Sequence, residues 1–300
     1  PEVGVLAIRY SDGRALVEIR NISGAENPRT VMYAPGMTPL QIKNIGDADG
    51  NGVDEIALLA IRWVDARSIV EMRNSFGPAA RRRTYLPVGA SGMDLDVFPD
   101  PDVPAVPRLA VLMVRWSDLR NVVEFRNSIG AESRSRLFTR NGATAQAISV
   151  FDNPAIPGYQ LAVLSTRDSD LQTLVEIMGV DGASRSTKYL RAGDTPFDLR
   201  AIGDADADGQ PDYAVLSRRD SDGRVVVQVR NSDDSNQRSF NQLAGMEATG
   251  TLMFLGDADG DTYEEYAVLL SRDTDARIGI DWSNAAGPDT STINRVYLSP

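Results

Sequence analysis

Three short stretches of the chain set oxygen-bearing side chains at alternate positions, the arrangement by which a loop wraps a hard cation. They are Asp47, Asp49, Asn51 and Glu55; then Asp204, Asp206, Asp208 and Asp212; then Asp257, Asp259, Asp261 and Glu265. Counted from the first aspartate, these side chains fall at positions 1, 3, 5 and 9. Calcium takes about six to eight oxygen ligands at about 2.3 to 2.6 Å and tolerates irregular geometry, so such a loop suits it once a main-chain carbonyl is added. That carbonyl, at position 7, would come from Val53, Gln210 and Tyr263. Gly52, Gly209 and, less suitably, Thr262 occupy the bend just before it. Aspartate and glycine also build plain turns. Carboxylates crowded into so few residues nevertheless repel one another unless a cation lies between them. An EF-hand begins in the same way but needs a bidentate glutamate at its twelfth position and flanking helices. Here that position is Leu58, Val215 or Val268, inside an apolar run, so the EF-hand reading fails. Three Ca2+ sites are expected.

Other chemistry is narrowed by what the chain lacks. Cysteine is absent, which removes disulfides, thiolate metal sites and thiol nucleophiles. Histidine is absent too, and with it the commonest general base at neutral pH and the usual ligand of transition metals. On that ground the chain is expected not to be an enzyme. The net charge of −11 argues against nucleic acid or an anionic membrane surface as partner, since both reward a basic face. No apolar run approaches the roughly 18 residues that span a bilayer, so no membrane insertion is expected. The chain opens on Pro1 and Glu2, which reads as a processed or excised piece of a longer, multidomain polypeptide. The cations are nearly all arginine, with only Lys43 and Lys188 as exceptions.

The loops recur because the whole chain repeats. Gly46-Asp47-Ala48-Asp49-Gly50 returns as Gly203-Asp204-Ala205-Asp206 and as Gly256-Asp257-Ala258-Asp259-Gly260, a spacing that resolves into a period of about 52 residues. Weakened copies stand at the two intervening places, Phe98-Pro99-Asp100-Pro101-Asp102 and Phe151-Asp152-Asn153-Pro154. In these, Arg108 and Gln160 replace the final carboxylate, so both are expected to be metal-free. A second motif, an apolar run, then Arg-x-x-Asp, a turn and another apolar run, appears in all six copies, at Leu6–Asn21, Leu59–Asn74, Leu112–Asn127, Leu164–Gly179, Leu216–Asn231 and Leu269–Asn284.

Within a copy the apolar runs are short and β-branched and are separated by turn residues, which predicts four strands. In the fifth copy these are A (Phe197 to Ile202), B (Asp212 to Arg218), C (Arg224 to Arg230) and D (Gln237 to Leu243). Four-stranded antiparallel units at this period are the blades of a β-propeller, with an open β-solenoid as the rival reading. The expectation is one all-β domain over residues 1–300, with repeats at about 1–36, 37–89, 90–142, 143–193, 194–246 and 247–300. Glu2 aligns with Glu55, so the first blade begins at strand B and lacks its strand A. Residues beyond Pro300 would supply that strand in a closed ring; otherwise the chain is a sector of a larger one.

Asp-x-Asp-x-Asp-Gly-x-x-Asp followed by a short apolar strand, once per blade, resembles the FG-GAP or VCBS-type repeat of the integrin α-subunit propeller and its bacterial relatives. The resemblance spans essentially the whole chain. It implies calcium in the A–B hairpin of each motif-bearing blade, at the loop positions named above, with ligand binding usually on the opposite face. The Phe-Gly and Gly-Ala-Pro dipeptides that name the repeat are missing, so an integrin-like partner is not implied.

On that opposite face the B–C turns present Arg9, Arg62, Arg115, Arg167, Arg219 and Arg272, each with an aspartate three residues on. The pairs would bridge the hairpin or the next blade, or contribute to a ligand site. The next residue breaks the symmetry, being Tyr10, Trp63 and Trp116 in the first three copies and Asp168, Asp220 and Asp273 in the last three. Aromatic rings beside arginine and aspartate suit a sugar or an extended peptide. Tyr10, Trp63, Trp116, Arg62 and Arg115 are therefore the candidate ligand-binding residues, with packing over hairpin ends as the plainer role. The functional expectation is a non-catalytic, calcium-stabilised binding or adhesion module of a secreted or cell-surface protein, recognising glycan or protein. A lyase-like polysaccharide enzyme and an architectural spacer are the alternatives.

Overall fold

The computed structural model describes residues 2–21, 29–76, 81–100, 106–128, 134–154, 156, 158–205, 208–233, 237–241, 246–256, 264–272, 278–285 and 294–297. Every regular element among them is a β-strand. The chain divides into two compact units, residues 1–140 and 141–300, each holding three antiparallel sheets.

In the first unit, one sheet joins β1 (Glu2–Ile8), β2 (Ala15–Asn21) and β3 (Arg29–Met32). The next joins β4 (Met37–Gly46), β5 (Glu55–Arg62), β6 (Ser68–Asn74) and β7 (Arg81–Tyr85). The third joins β8 (Ala90–Pro99), β9 (Pro107–Arg115), β10 (Asn121–Asn127) and β11 (Arg134–Phe138). The second unit holds β12 (Ala143–Asp152), β13 (Tyr159–Arg167), β14 (Thr173–Gly179) and β15 (Ser186–Tyr189); then β16 (Asp194–Gly203), β17 (Asp212–Arg219), β18 (Val225–Asn231) and β19 (Gln237–Asn241). Its last sheet is β20 (Met246–Gly256), β21 (Glu265–Arg272), β22 (Ile278–Asn284) and β23 (Asn294–Tyr297). One sheet per sequence copy is thus present, and the first copy has three strands where the others have four.

Side chains alternate across a strand, so a sheet packed on both faces needs apolar residues at nearly every position. That is what Glu55–Arg62 and Val225–Asn231 show, being buried almost throughout. Leu58, Ala60 and Ile69 pack with Val17, Ile19 and Tyr33 of the first sheet. Their neighbours Leu59, Val70 and Met72 pack with Leu95, Val111 and Met113 of the third. Two cores of the same kind lie in the second unit, around Leu164, Val175 and Val215 and around Leu216, Val227 and Val268. Full burial of one such leucine contributes about 1.5 to 3 kcal/mol.

A carboxylate is buried in the middle of four of the third strands, at Glu71, Glu124, Glu176 and Asp281. Glu71 is fully buried and accepts hydrogen bonds from Arg73 Nε at 2.8 Å and Arg83 Nε at 2.7 Å. Glu124, equally buried, is met by Arg136 Nε at 2.7 Å and by Arg126. A carboxylate removed from water needs this compensation. The planar, permanently charged guanidinium provides it, which accounts for part of the preference for arginine over lysine.

Candidate functional site

The first aspartate loop joins β4 to β5. Its approach is set by a bulge: the ladder shifts register between Asn44 and Gly46, and Gly46 pairs with Glu55 in a left-handed conformation at φ 66°. The turn then brings Asp47, Asp49 and Glu55 together, with one carboxylate oxygen of each within 4.8 Å of the others. Main-chain N–H groups hold the acidic side chains in place. Asn51 N–H and Gly52 N–H donate to the two oxygens of Asp47 at 2.9 and 2.8 Å, and Ala48 N–H donates to Glu55 Oε2 at 2.7 Å. Gly52 needs its own left-handed φ of 83° to make that bond. The Asn51 amide is turned back to accept from Val53 N–H at 2.8 Å.

Glu55 is buried and its Oε1 has no hydrogen-bond partner. Burial, and then the neighbouring Asp49 and Asp47, push its carboxyl above the usual range, while the Ala48 N–H pulls the other way. A cavity of about 10 Å³ lies beside it, lined by Ile45, Asp49, Met72 and Ser128 among others. That is about the space of one water-sized sphere. An oxygen-only donor set, an orphaned buried carboxylate oxygen and room for a single small particle all fit calcium. Carboxylates and carbonyls suit hard cations, whereas the imidazole and thiolate ligands that favour softer ones are absent from the chain.

The second loop, between β16 and β17, repeats the arrangement bond for bond. Its bulge falls between Ala201 and Gly203. Asp208 N–H and Gly209 N–H donate to Asp204 at 3.0 and 2.9 Å, Gln210 N–H to Asp208 at 2.8 Å, and Ala205 N–H to Asp212 at 2.9 Å. Asn231, at the end of β18, reaches Asp208, a contact that the loop spacing gives no hint of. Asp206 lies outside the described residues, as do Asp257, Asp259, Asp261 and Tyr263 of the third loop. The third loop's two ends are described, and they match: Gly256 pairs with a buried Glu265 across a third bulge, with φ 67°.

The two weakened copies differ in the backbone as well as in the side chains. Their ladders run without a terminal bulge to Pro99↔Pro107 and Asp152↔Tyr159. Arg108 stands where the other loops carry their last carboxylate, with its Nε 3.7 Å from Asp100 Oδ2. In the next copy Gln160 fills that place and its carbonyl faces Asn153 Nδ2 at 3.5 Å.

At the other end of the sheets, five of the six arginine–aspartate pairs are described, and in each the guanidinium grips the aspartate through Nε and Nη2. The Nε contacts are 2.8 Å for Arg9–Asp12, 3.1 Å for Arg62–Asp65, 2.8 Å for Arg115–Asp118 and Arg167–Asp170, and 2.9 Å for Arg219–Asp222. In three of them the arginine also lies over an aromatic ring of the last strand: Arg62 and its turn neighbour Arg67 lie 5.1 and 5.0 Å from the Tyr85 ring centre, Arg115 and Arg120 lie 5.3 and 4.5 Å from that of Phe138, and Arg167 lies 5.3 Å from that of Tyr189. Arg62 and Arg115 therefore bridge their own hairpins. Asp275, the sixth partner, is outside the described residues. The aromatics behave differently. Tyr10 is fully exposed, and Trp63 and Trp116 keep about half or more of their surface in solvent while Nε1 donates to Thr38 Oγ1 at 2.9 Å and Ser91 Oγ at 2.8 Å. Asp168 and Asp220 hold the same place in later copies and accept from Thr144 and Thr195.

No protein-family model and no curated protein sequence matches the chain. Solved structures do match in shape. The chain superposes on a chimera of apocarotenoid oxygenase and RPE65 with a TM-score of 0.58 and 11% identity, over 98% of this chain and 71% of that one. A mutant of the Synechocystis apocarotenoid oxygenase gives 0.57 and 12% over the same shares. The nidogen/laminin complex gives 0.60 and 10%, over 95% of this chain and 89% of the other.

The fold is a β-propeller of six small antiparallel sheets. These likenesses also correct one expectation. The propellers superposed over nearly the whole chain include oxygenases, one of them cobalt-substituted, so the reading of the chain as not an enzyme does not stand. That reading leaned on the missing histidine and cysteine, and a fold carries chemistry through whatever site is grafted on it.

Proposed function

We propose that the chain is a calcium-stabilised binding module of a secreted or cell-surface protein, with glycan or protein as its ligand. The observation that carries the calcium reading is the buried, unpartnered Glu55 Oε1 beside Asp47 and Asp49. In this reading Asp47, Asp49 and Glu55, then Asp204, Asp206, Asp208 and Asp212, then Asp257, Asp259, Asp261 and Glu265 hold one Ca2+ each, assisted by Asn51 and by the carbonyls of Val53, Gln210 and Tyr263. The ion neutralises the crowded carboxylates and ties the first two strands of a sheet at their open end. An extracellular setting fits, because millimolar calcium there keeps even weak sites filled and a chain without cysteine has no disulfides to staple it. The opposite end, with its exposed aromatics, is the ligand face.

Metal content per chain after exhaustive dialysis against micromolar calcium tests the reading. A value near three supports all three loops. A value near five would bring in the weakened copies, and a value near zero with an unchanged melting point would defeat it.

A further inference from the structure

We infer that the ligand taken by the aromatic end of the first unit is an uncharged saccharide, held by ring stacking on Trp63 and Trp116 and by a cleft formed by the third sheet and the link that leads into it. This rests on the binding-module reading above and narrows its ligand to one chemical class.

Charge is the first argument. The arginine that opens each of these two turns is already committed. Arg62 and Arg115 are gripped bidentately by Asp65 and Asp118 and stacked on Tyr85 and Phe138, and Arg136 is bound to the buried Glu124. An anionic ligand could gain the bidentate Nε/Nη2 fork only by displacing a carboxylate that already holds it. A hydroxyl needs less, since Nη1 of Arg62 and Arg115 takes part in none of these hydrogen bonds and can donate to it without breaking a pair.

The rings supply the second argument. Trp63 and Trp116 are 62% and 49% exposed, yet each indole N–H is satisfied within its own sheet by Thr38 or Ser91. That bond fixes the ring and leaves a face with no polar demand, the surface that the C–H side of a sugar ring covers. Beside Trp116, whose main-chain N–H is bonded to Gly89 O at 2.7 Å, lies a cleft of about 140 Å³. It is walled by Val88, Met113, Val122 and Phe138, with Arg115 and Arg136 among its lining. An apolar cleft with a few donors suits a single sugar residue of a chain that runs on over the tryptophans.

The main chain gives the third argument, against a peptide. Strand addition needs free N–H and C=O groups along an edge. In these turns they are consumed: Arg62 N–H donates to Arg67 O and Trp63 N–H to Gly36 O, and Arg115 N–H donates to Arg120 O.

Neutral gluco-, manno- and galacto-oligosaccharides, oligogalacturonate and proline-rich peptides should be titrated against the calcium-loaded chain by calorimetry. The expected result is binding of a neutral series whose affinity changes less than about twofold between about 50 and about 500 mM salt, because no ion pair is formed. Trp116→Ala and Trp63→Ala should each weaken it by about tenfold or more, about 1.4 kcal/mol, whereas Trp116→Phe should retain most of it. Val88→Arg, at an exposed position, should block the cleft at an unchanged melting point. Binding of oligogalacturonate or of a peptide lost in the same variants would overturn the ligand class and leave the binding-module reading standing. Neutral-sugar binding untouched by all four variants would overturn the site. Absence of binding by every probe would overturn both.

Discussion

The guanidinium of Arg108 lies 3.7 Å from the carboxylate of Asp100, at the place in the third sheet where the second sheet brings Glu55 beside Asp47. One copy of the repeat has thus exchanged an acidic pair in need of a cation for an acid that carries its own. The pair is nearly buried, so its loss should be felt in stability. Arg108→Ala should cost about 1 to 3 kcal/mol in urea unfolding, while Asp100→Asn should leave the calcium stoichiometry unchanged. A drop of one ion per chain in Asp100→Asn would show that this loop binds metal after all.

Chelation should lower the melting temperature, and calcium should restore it in proportion to the number of filled loops. Each site adds about 2.7 kcal/mol when calcium stands at about one hundred times Kd. Asp47→Ala and Asp204→Ala should each remove one ion and about that much stabilisation, additively, since the loops lie in separate sheets. Magnesium should restore little because it demands compact octahedral geometry. Full recovery in magnesium alone, read by calorimetry, would argue against calcium-specific loops.

The turn pairs carry a pH signature. The hydrogen bond from Arg115 holds Asp118 down to about 2, and Arg9 and Arg219 do the same for Asp12 and Asp222. A carboxyl whose folded pKa is depressed adds stability above its ordinary pKa of about 4 and loses it as the pH falls through the folded value. The melting-temperature gap between the parent chain and Asp118→Asn should therefore be constant above about pH 4 and close as the pH approaches about 2. It should also shrink in high salt, since the pair is solvent-accessible. A gap that stays constant down to pH 2 would show that Asp118 acts by packing alone.

Leu119 and Leu171 sit in the left-handed region, at φ 55° and 58°, where the first and fifth copies place Gly13 and Gly223. A β-carbon there crowds the following carbonyl at a cost of about 1 to 2 kcal/mol. Both leucines are largely exposed, so little burial offsets that strain. Leu119→Gly and Leu171→Gly should stabilise by a net of about 0.5 kcal/mol each once the extra freedom of glycine in the unfolded chain is counted. Urea midpoints that fall would show that the side chains pack.

Strand B of the fifth copy, read as Asp212 to Arg218, runs Asp212–Arg219, and strand C, read from Arg224, begins one residue later at Val225. Both reveal themselves through short apolar runs between turn residues, Tyr213 to Leu216 in one and Val225 to Val227 in the other. Strand A was read as starting at Phe197 but begins at Asp194. The proline between hides it, because proline gives no ladder hydrogen bond. Pro196 sits at the register shift before Asp198, and Pro39 sits at the same shift in the second sheet, where the ladder skips a residue and the missing donor is tolerated.

The sequence by itself determined what is local and periodic: the repeat, the strands between turns, the bend glycines and the acidic spacing that sets Asp47, Asp49 and Glu55 in one loop. Only the tertiary structure decided the partnerships. Glu71 is bound by arginines of its own and the neighbouring strand, Arg62 and Arg115 are spent on their hairpins and on Tyr85 and Phe138, and Asn231 reaches across to Asp208. Spacing along one strand cannot reveal these contacts, because most depend on the register between neighbouring strands of a sheet and on which charges are excluded from water together.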